Sequence, residues 1–184
     1  MTFNIHPADR KSIVLVGMMG AGKTTTGFGL AQRLNIKFID SDREIEKQKG
    51  GKITDIFNEM GEESFRLLEK DVIDNILDST KPQVLSIGGN AFDNENIRAK
   101  IKDRAISIFL EVELETLIER VTRRKTRPLL ELGDKREIMS NLYNKKIDIY
   151  RKSDIAINTT YLNRDTSIGV IVKSVVEYIN SFEK

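Results

Sequence analysis

The stretch "GMMGAGKT", Gly17 to Thr24, constrains this chain more than any other. It fits G-x-x-x-x-G-K-[ST] at every fixed position. It follows directly on the apolar run "SIVLV" and runs straight into an amphipathic pattern over 23–34. A strand, a glycine-rich loop and a helix in that order make a cradle for phosphate. Glycines let the backbone amides approach, the helix start adds partial positive charge, and the lysine reaches the β- and γ-oxygens. On this reading Gly20, Ala21, Gly22, Lys23, Thr24 and Thr25 hold a nucleotide, and the Thr24 hydroxyl can ligate magnesium.

The rest of the chain repeats the strand-then-helix theme. Short β-rich runs stand at 12–17, 37–40, 83–87, 105–111 and 154–158, and helical patterns fill 23–34, 42–49, 53–59, 62–78, 94–102, 113–122, 136–152 and 166–182. Such alternation implies an α/β fold around a parallel sheet. Ile168, Ile171, Val172, Val175, Val176 and Ile179 form one apolar stripe on the last helix. Two segments break the rhythm. The stretch between the second and third strands is too long for one crossover, so a helical insertion is expected over about 41–78. "RVTRRKTRPLLELGDK" is basic, weakly periodic and broken by Pro128 and Gly133, which reads as a mobile lid over about 120–135.

Composition narrows the classes. The 184 residues suit one domain, over 12–184, after a polar lead-in at 1–11 that lacks the apolar stretch of a secretory signal. His6 lies in that lead-in and receives no role. With 30 basic against 28 acidic residues, the net charge of +2 does not suit a general nucleic-acid binder. Cysteine is absent, which excludes disulfides and thiolate metal sites and fits the cytoplasm. No apolar run approaches the roughly 20 residues of a membrane span.

"FIDSD" closes the second strand with Asp40 and Asp42. Ligands of open α/β sheets sit beyond the carboxyl ends of the strands, so both carboxylates project toward the rim of the phosphate loop. Asp40 would hold magnesium through water, and Asp42 would meet a substrate hydroxyl. "SDRE", Ser41 to Glu44, also reads as a capping box that starts a helix.

Taken in order, "GMMGAGKTT", "FIDSD", "GEESFRLLE" (61–69), "SIGGN" (86–90) and "RPLL" (127–130) resemble the shikimate kinases over nearly the whole chain. The resemblance implies a P-loop kinase domain with a five-stranded parallel sheet in the order 2-3-1-4-5. It also implies transfer of the γ-phosphoryl group of ATP to the 3-hydroxyl of shikimate, with Mg2+, in a cytoplasmic monomer. The insertion would grip shikimate, and the lid would close over ATP. Asp42 then matches the aspartate on the acceptor hydroxyl, Arg66 an arginine on the shikimate carboxylate, and Glu69 its acidic neighbour. Gly88 and Gly89 match a substrate-side turn whose third glycine is here Asn90, a residue that tolerates positive φ. Arg120 matches an arginine stacked on adenine. Arg127 matches a lid arginine on the transferred phosphoryl group, catalytic together with Lys23 and Asp42.

"NKKID" (144–148) poses a separate choice, because Asn-Lys-x-Asp reads guanine in switch proteins. Here the spacing is one residue too long, the stretch lies in a helical pattern with Ile138, Leu142 and Ile149, and no Asp-x-x-Gly accompanies the third strand. Aligned on the resemblance, Lys146 replaces an arginine and becomes the second cation for the substrate carboxylate. Arginine offers a carboxylate two fixed prongs and lysine a point charge. Lys146 and Asn90 therefore leave a second acceptor open, another small polyhydroxylated acid such as gluconate. A nucleotide-binding protein without transfer activity is the alternative of a different class.

Overall fold

Parallel strands covered on both faces read as unbroken apolar runs, and the two clearest such runs lie at the centre of the sheet. The computed structural model describes residues 11–123 and 134–181. Its five parallel strands are β1 (Ser12–Val16), β2 (Lys37–Asp40), β3 (Gln83–Ser86), β4 (Ala105–Glu111) and β5 (Ile155–Asn158), in the spatial order β2-β3-β1-β4-β5. All five residues of β1 are buried, whereas the edge strands β2 and β5 are largely half-exposed. Val14, Leu15, Val84, Leu85 and Ile108 form the innermost layer. Each such side chain contributes about 1.5–3 kcal/mol by leaving water.

The helices are α1 (Lys23–Leu34), α2 (Ser41–Lys49), α3 (Ile53–Met60), α4 (Glu62–Leu77), α5 (Glu95–Arg104), α6 (Leu114–Thr122), α7 (Lys135–Tyr150) and α8 (Arg164–Asn180). Helices α1 and α8 pack on each other, as do α4 and α5. The stripe on α8 supplies buried Ile168, Ile171, Val172 and Val175, with Val176 and Ile179 half-buried at its edge. Helices α2, α3 and α4 pack together where the insertion was expected. A 3-10 turn at Ala91–Asp93 has no counterpart in the sequence reading, being too short to show a period. Of the lid, residues 124–133 lie outside the described residues, and with them Arg127.

Register puts the chemistry at one rim. Asp40 of β2 pairs with Ser86 of β3, and Ser86 pairs with Leu15 of β1. The segments leaving these strands, Gly17–Gly22, α2 and Gly88–Asn90, therefore emerge side by side. At the far edge Asp154 ties β5 down. It accepts from the Ser107 amide and hydroxyl at 2.8 and 2.6 Å and from the Tyr178 hydroxyl at 2.9 Å.

The capping box is not formed. Helix α2 begins at Ser41 itself, after Asp40, which makes no side-chain cap. Ser41 is fully buried, and its Oγ accepts the Gly88 amide across the sheet at 3.2 Å. A tertiary partner has taken the hydroxyl that local spacing assigned to the helix start.

Candidate active site

The phosphate loop is shaped by backbone angles closed to most side chains. Gly17, Gly20 and Gly22 have φ of 143°, 85° and 92°. At Gly17 a Cβ would also lie 2.9 Å from the Leu110 carbonyl oxygen. Within the loop Lys23 Nζ donates to the carbonyls of Gly17 and Met18 at 2.7 and 3.2 Å, which folds the ammonium back over the turn. Ala21 is buried under the loop, whereas Thr25 is exposed on the first turn of α1. The Thr24 hydroxyl donates to Asp40 Oδ2 at 2.9 Å. That pairing of a hydroxyl with a carboxylate, beside the lysine, is an oxygen donor set suited to a hard divalent cation, which needs few protein ligands.

Beyond the loop, α2, α4, α7 and the turn after β3 meet. Over Gly88 two carboxylates converge. A Cβ there would fall 2.7 Å from Glu69 Oε1 and 3.0 Å from Asp42 Oδ1, so only glycine leaves both in place. Glu69 is buried, and its Oε2 accepts from Arg66 Nη1 at 2.7 Å. The guanidinium carbon of Arg66 stands 5.7 Å from the Phe57 ring and 5.3 Å from the Phe65 ring. This is no solvated helix pair: a buried carboxylate and two aromatic faces fix the guanidinium's direction. Lys146 comes in from α7 and is ion-paired with Asp93. Burial first, and then the Arg66 charge, hold it below the ordinary lysine range, against the pull of Glu69 and Glu62.

The turn itself corrects one expectation. Asn90 has φ −95° and ψ −13°, in the right-handed region, and is exposed. No left-handed residue is needed there, so asparagine costs the backbone nothing. The neighbour that matters is Tyr150, whose hydroxyl donates to the Gly89 carbonyl at 2.7 Å while its ring stacks on Phe109 at 5.3 Å. Tyr150 is not among the site residues expected from sequence; a buried tyrosine usually finds a partner for its hydroxyl, and that was the available signal. On the nucleotide side Arg120 bridges the Gly20 and Thr160 carbonyls at 3.4 and 3.3 Å, tying the phosphate loop to the β5–α8 connection.

With this geometry in view, comparison with known proteins is decisive. The shikimate kinase family model matches residues 19–180. The chain belongs to the shikimate kinase family. It is 41% identical to the shikimate kinase of Bartonella henselae over 94% of this chain and 82% of that one. Its fold superposes on the Acinetobacter baumannii shikimate kinase, solved in complex with shikimate, with a TM-score of 0.85, 34% identity and coverage of 91% and 93% of the two chains. A gluconokinase from Sinorhizobium meliloti shares the fold alone, at 17% identity and a TM-score of 0.60 over 94% and 93% of the chains.

For a shikimate kinase, one electrostatic feature of this chain stands out. Asp42 is pushed from 3.8 up to about 6, chiefly by burial, then by the charges of Asp40 and Glu69, with Lys23 pulling the other way. Glu69 is also raised, by burial first, with Arg66 opposing. From sequence, Asp42 is expected only to meet the acceptor hydroxyl, as a base or as an orienting group. Two further carboxylates and the loss of water bring it close to working pH, where a general base is most effective. "NKKID" lies in the C-terminal half of α7 with Asn144 and Lys145 exposed, so it is helical and not a base-reading loop.

Proposed function

We propose that this shikimate kinase carries out its transfer, from ATP to the 3-hydroxyl of shikimate, with Asp42 as base and Arg66 and Lys146 as the carboxylate grip. The observation that carries the assignment of roles is the convergence of Asp42 and Glu69 over Gly88, on the same rim as the phosphate loop. Asp42 takes the proton of the acceptor hydroxyl as its oxygen attacks the γ-phosphorus. The new P–O bond forms while the bond to the ADP oxygen breaks. The loop amides, Gly20–Thr25 and Lys23 hold the phosphates, and Arg127 of the lid neutralises charge that develops on the moving group. Arg120 stacks on the adenine of ATP. Gly88 and Gly89 give the acceptor a close backbone approach.

Mg2+ fits the Thr24 and Asp40 oxygens, and when bound it neutralises charge on the phosphate oxygens. The insertion over 41–78 would grip shikimate and the lid over 120–135 would cover ATP, both excluding water that would otherwise hydrolyse the nucleotide. Among the described residues no helix is long and apolar enough to cross a membrane. We take ATP and shikimate as the partners, with no nucleic acid or membrane, in a cytoplasmic monomer.

The test is ADP release from ATP-Mg with and without shikimate and with gluconate. Stimulation by shikimate alone supports the reading. Slow hydrolysis indifferent to either acceptor would remove transfer from the chain's repertoire. Lys146→Arg in the same assay reports how the point charge serves the carboxylate, through KM.

A further inference from the structure

Lys146 already has a carboxylate before any substrate arrives. Asp93, the last residue of the 3-10 turn that follows Gly88–Asn90, is ion-paired with its Nζ through Oδ2. The other oxygen, Oδ1, is buried and has no hydrogen-bond partner among the described residues. The carboxylate's satisfaction therefore rests on the lysine. Arg66 is matched in the same way by Glu69. Two cations that would face a substrate carboxylate are balanced by two carboxylates of the chain itself, with Glu62 a further acid 3.8 Å from Arg66. An incoming anion meets two cations already matched by carboxylates instead of two uncommitted positive charges.

The two pairs differ in how readily they can be opened. Glu69 is 3% exposed and locked beneath Gly88. The Asp93 side chain is 34% exposed, against 12% for Lys146, so it has solvent to turn into and the lysine does not. Its backbone, by contrast, is clamped. Arg98 Nη1 donates to the carbonyls of Phe92 and Asp93, both at 2.7 Å. Only the side chain needs to move.

We propose that Asp93 is a built-in competitor for the acceptor's carboxylate, holding the Lys146 ammonium in the free enzyme and yielding it to shikimate. Asp93 acts through Lys146, and the inference rests on the reading of Lys146 as a carboxylate grip. Like charge at close range costs affinity for an anion and little for a neutral acceptor. Asp93 thus lowers the preference for acidic over uncharged acceptors, and an exchange of carboxylates replaces the fork that arginine would have offered.

Initial-rate kinetics on the full chain test this with Asp93→Asn, which keeps the shape and the acceptor oxygen and removes the charge. With shikimate, KM should fall about three- to tenfold, the change lying in KM and not in kcat. With shikimate methyl ester, which has no charge to be repelled, KM should stay within about twofold. A KM for shikimate that is unchanged or higher, or an equal shift for both acceptors, overturns the proposal and leaves Asp93 a structural partner of Lys146. Asp93→Ser gives the same comparison if the asparagine variant does not fold. Failure of the underlying reading is visible in wild type alone, as ADP release that shikimate does not stimulate, and it takes this inference with it.

Discussion

The phosphate loop takes its residues from one unbroken stretch, Gly17–Thr24, whereas the acceptor cradle draws Asp42, Arg66, Glu69, Gly88 and Lys146 from four separate segments. The loop works through its backbone. Its shape follows from three glycines at positive φ, and its ligands are mostly amides that any chain possesses. The cradle works through contacts that are mostly distant in sequence: Lys146 with Asp93, Gly88 with Ser41 and Gly89 with Tyr150, beside the local pair of Glu69 and Arg66 on α4. A local pattern can specify the first kind of site. The second kind needs the whole fold to be right, and its chemistry can be tuned at many points without disturbing the loop.

Substitutions separate the two halves, beginning with the largest effect. If Asp42 is the base proposed above, Asp42→Asn should cost about 10³-fold or more in kcat, while ADP binding measured by calorimetry stays near wild type. Comparable loss of ADP binding would mean that the two halves are not separable. Next comes Gly88→Ala. Its Cβ would meet Glu69 and Asp42 at 2.7 and 3.0 Å, so both carboxylates must shift, and kcat/KM for shikimate should drop roughly 10²-fold. The KM for ATP in that variant reports whether the damage stays on the acceptor side.

The pH profile sharpens the contrast further. Asp42 must be ionised to accept a proton, and its pKa is raised to about 6. Activity should therefore fall about tenfold per unit below that pH, while ADP affinity should not follow it. A profile flat down to pH 5 would put Asp42 back in an orienting role.

A smaller effect lies in stability. Because Asp42 ionises at about 6 when folded and at 3.8 when unconstrained, its burial costs nothing below pH 3.8 and costs most above pH 6. Asp42→Asn should thus stabilise the chain by about 1–3 kcal/mol at pH 8, and the gain should vanish toward pH 4. Paired denaturant melts at the two pH values measure this. The inactive variant should be the more stable protein, as happens where a site is kept strained for function. Smallest of all, Tyr150→Phe leaves the Gly89 carbonyl without its donor. About 1–2 kcal/mol of stability and a few-fold rise in the KM for shikimate are expected, with the KM for ATP unchanged.

What could be read from sequence follows the same division. Helix α1, the strand before it and the glycine turn between them were legible because the three are contiguous and each glycine answers a local backbone demand. The order of the strands came through resemblance, not through any pattern in the residues themselves, and so did the expectation that Arg66 and Lys146 share one site. The 3-10 turn at Ala91–Asp93, the left-handed turn expected at Asn90 and the capping box at Ser41 were the misses. Ser41 answers to Gly88 across the sheet and not to its own spacing, and the turn at 90–93 is too short to show a period.

By itself, then, the sequence determined an α/β fold around a parallel sheet, a phosphate loop and a carboxylate at the end of β2. Periodicity and glycine placement encode the first two directly. Tertiary structure alone decided that Asp42 would titrate near 6, that Arg66 would be stacked and aimed, that Tyr150 would hold the acceptor turn and that Asp93 would occupy Lys146. Burial and the approach of charges from remote segments cause each of these. Both depend on distances that exist only after the sheet has brought its strand ends to one rim.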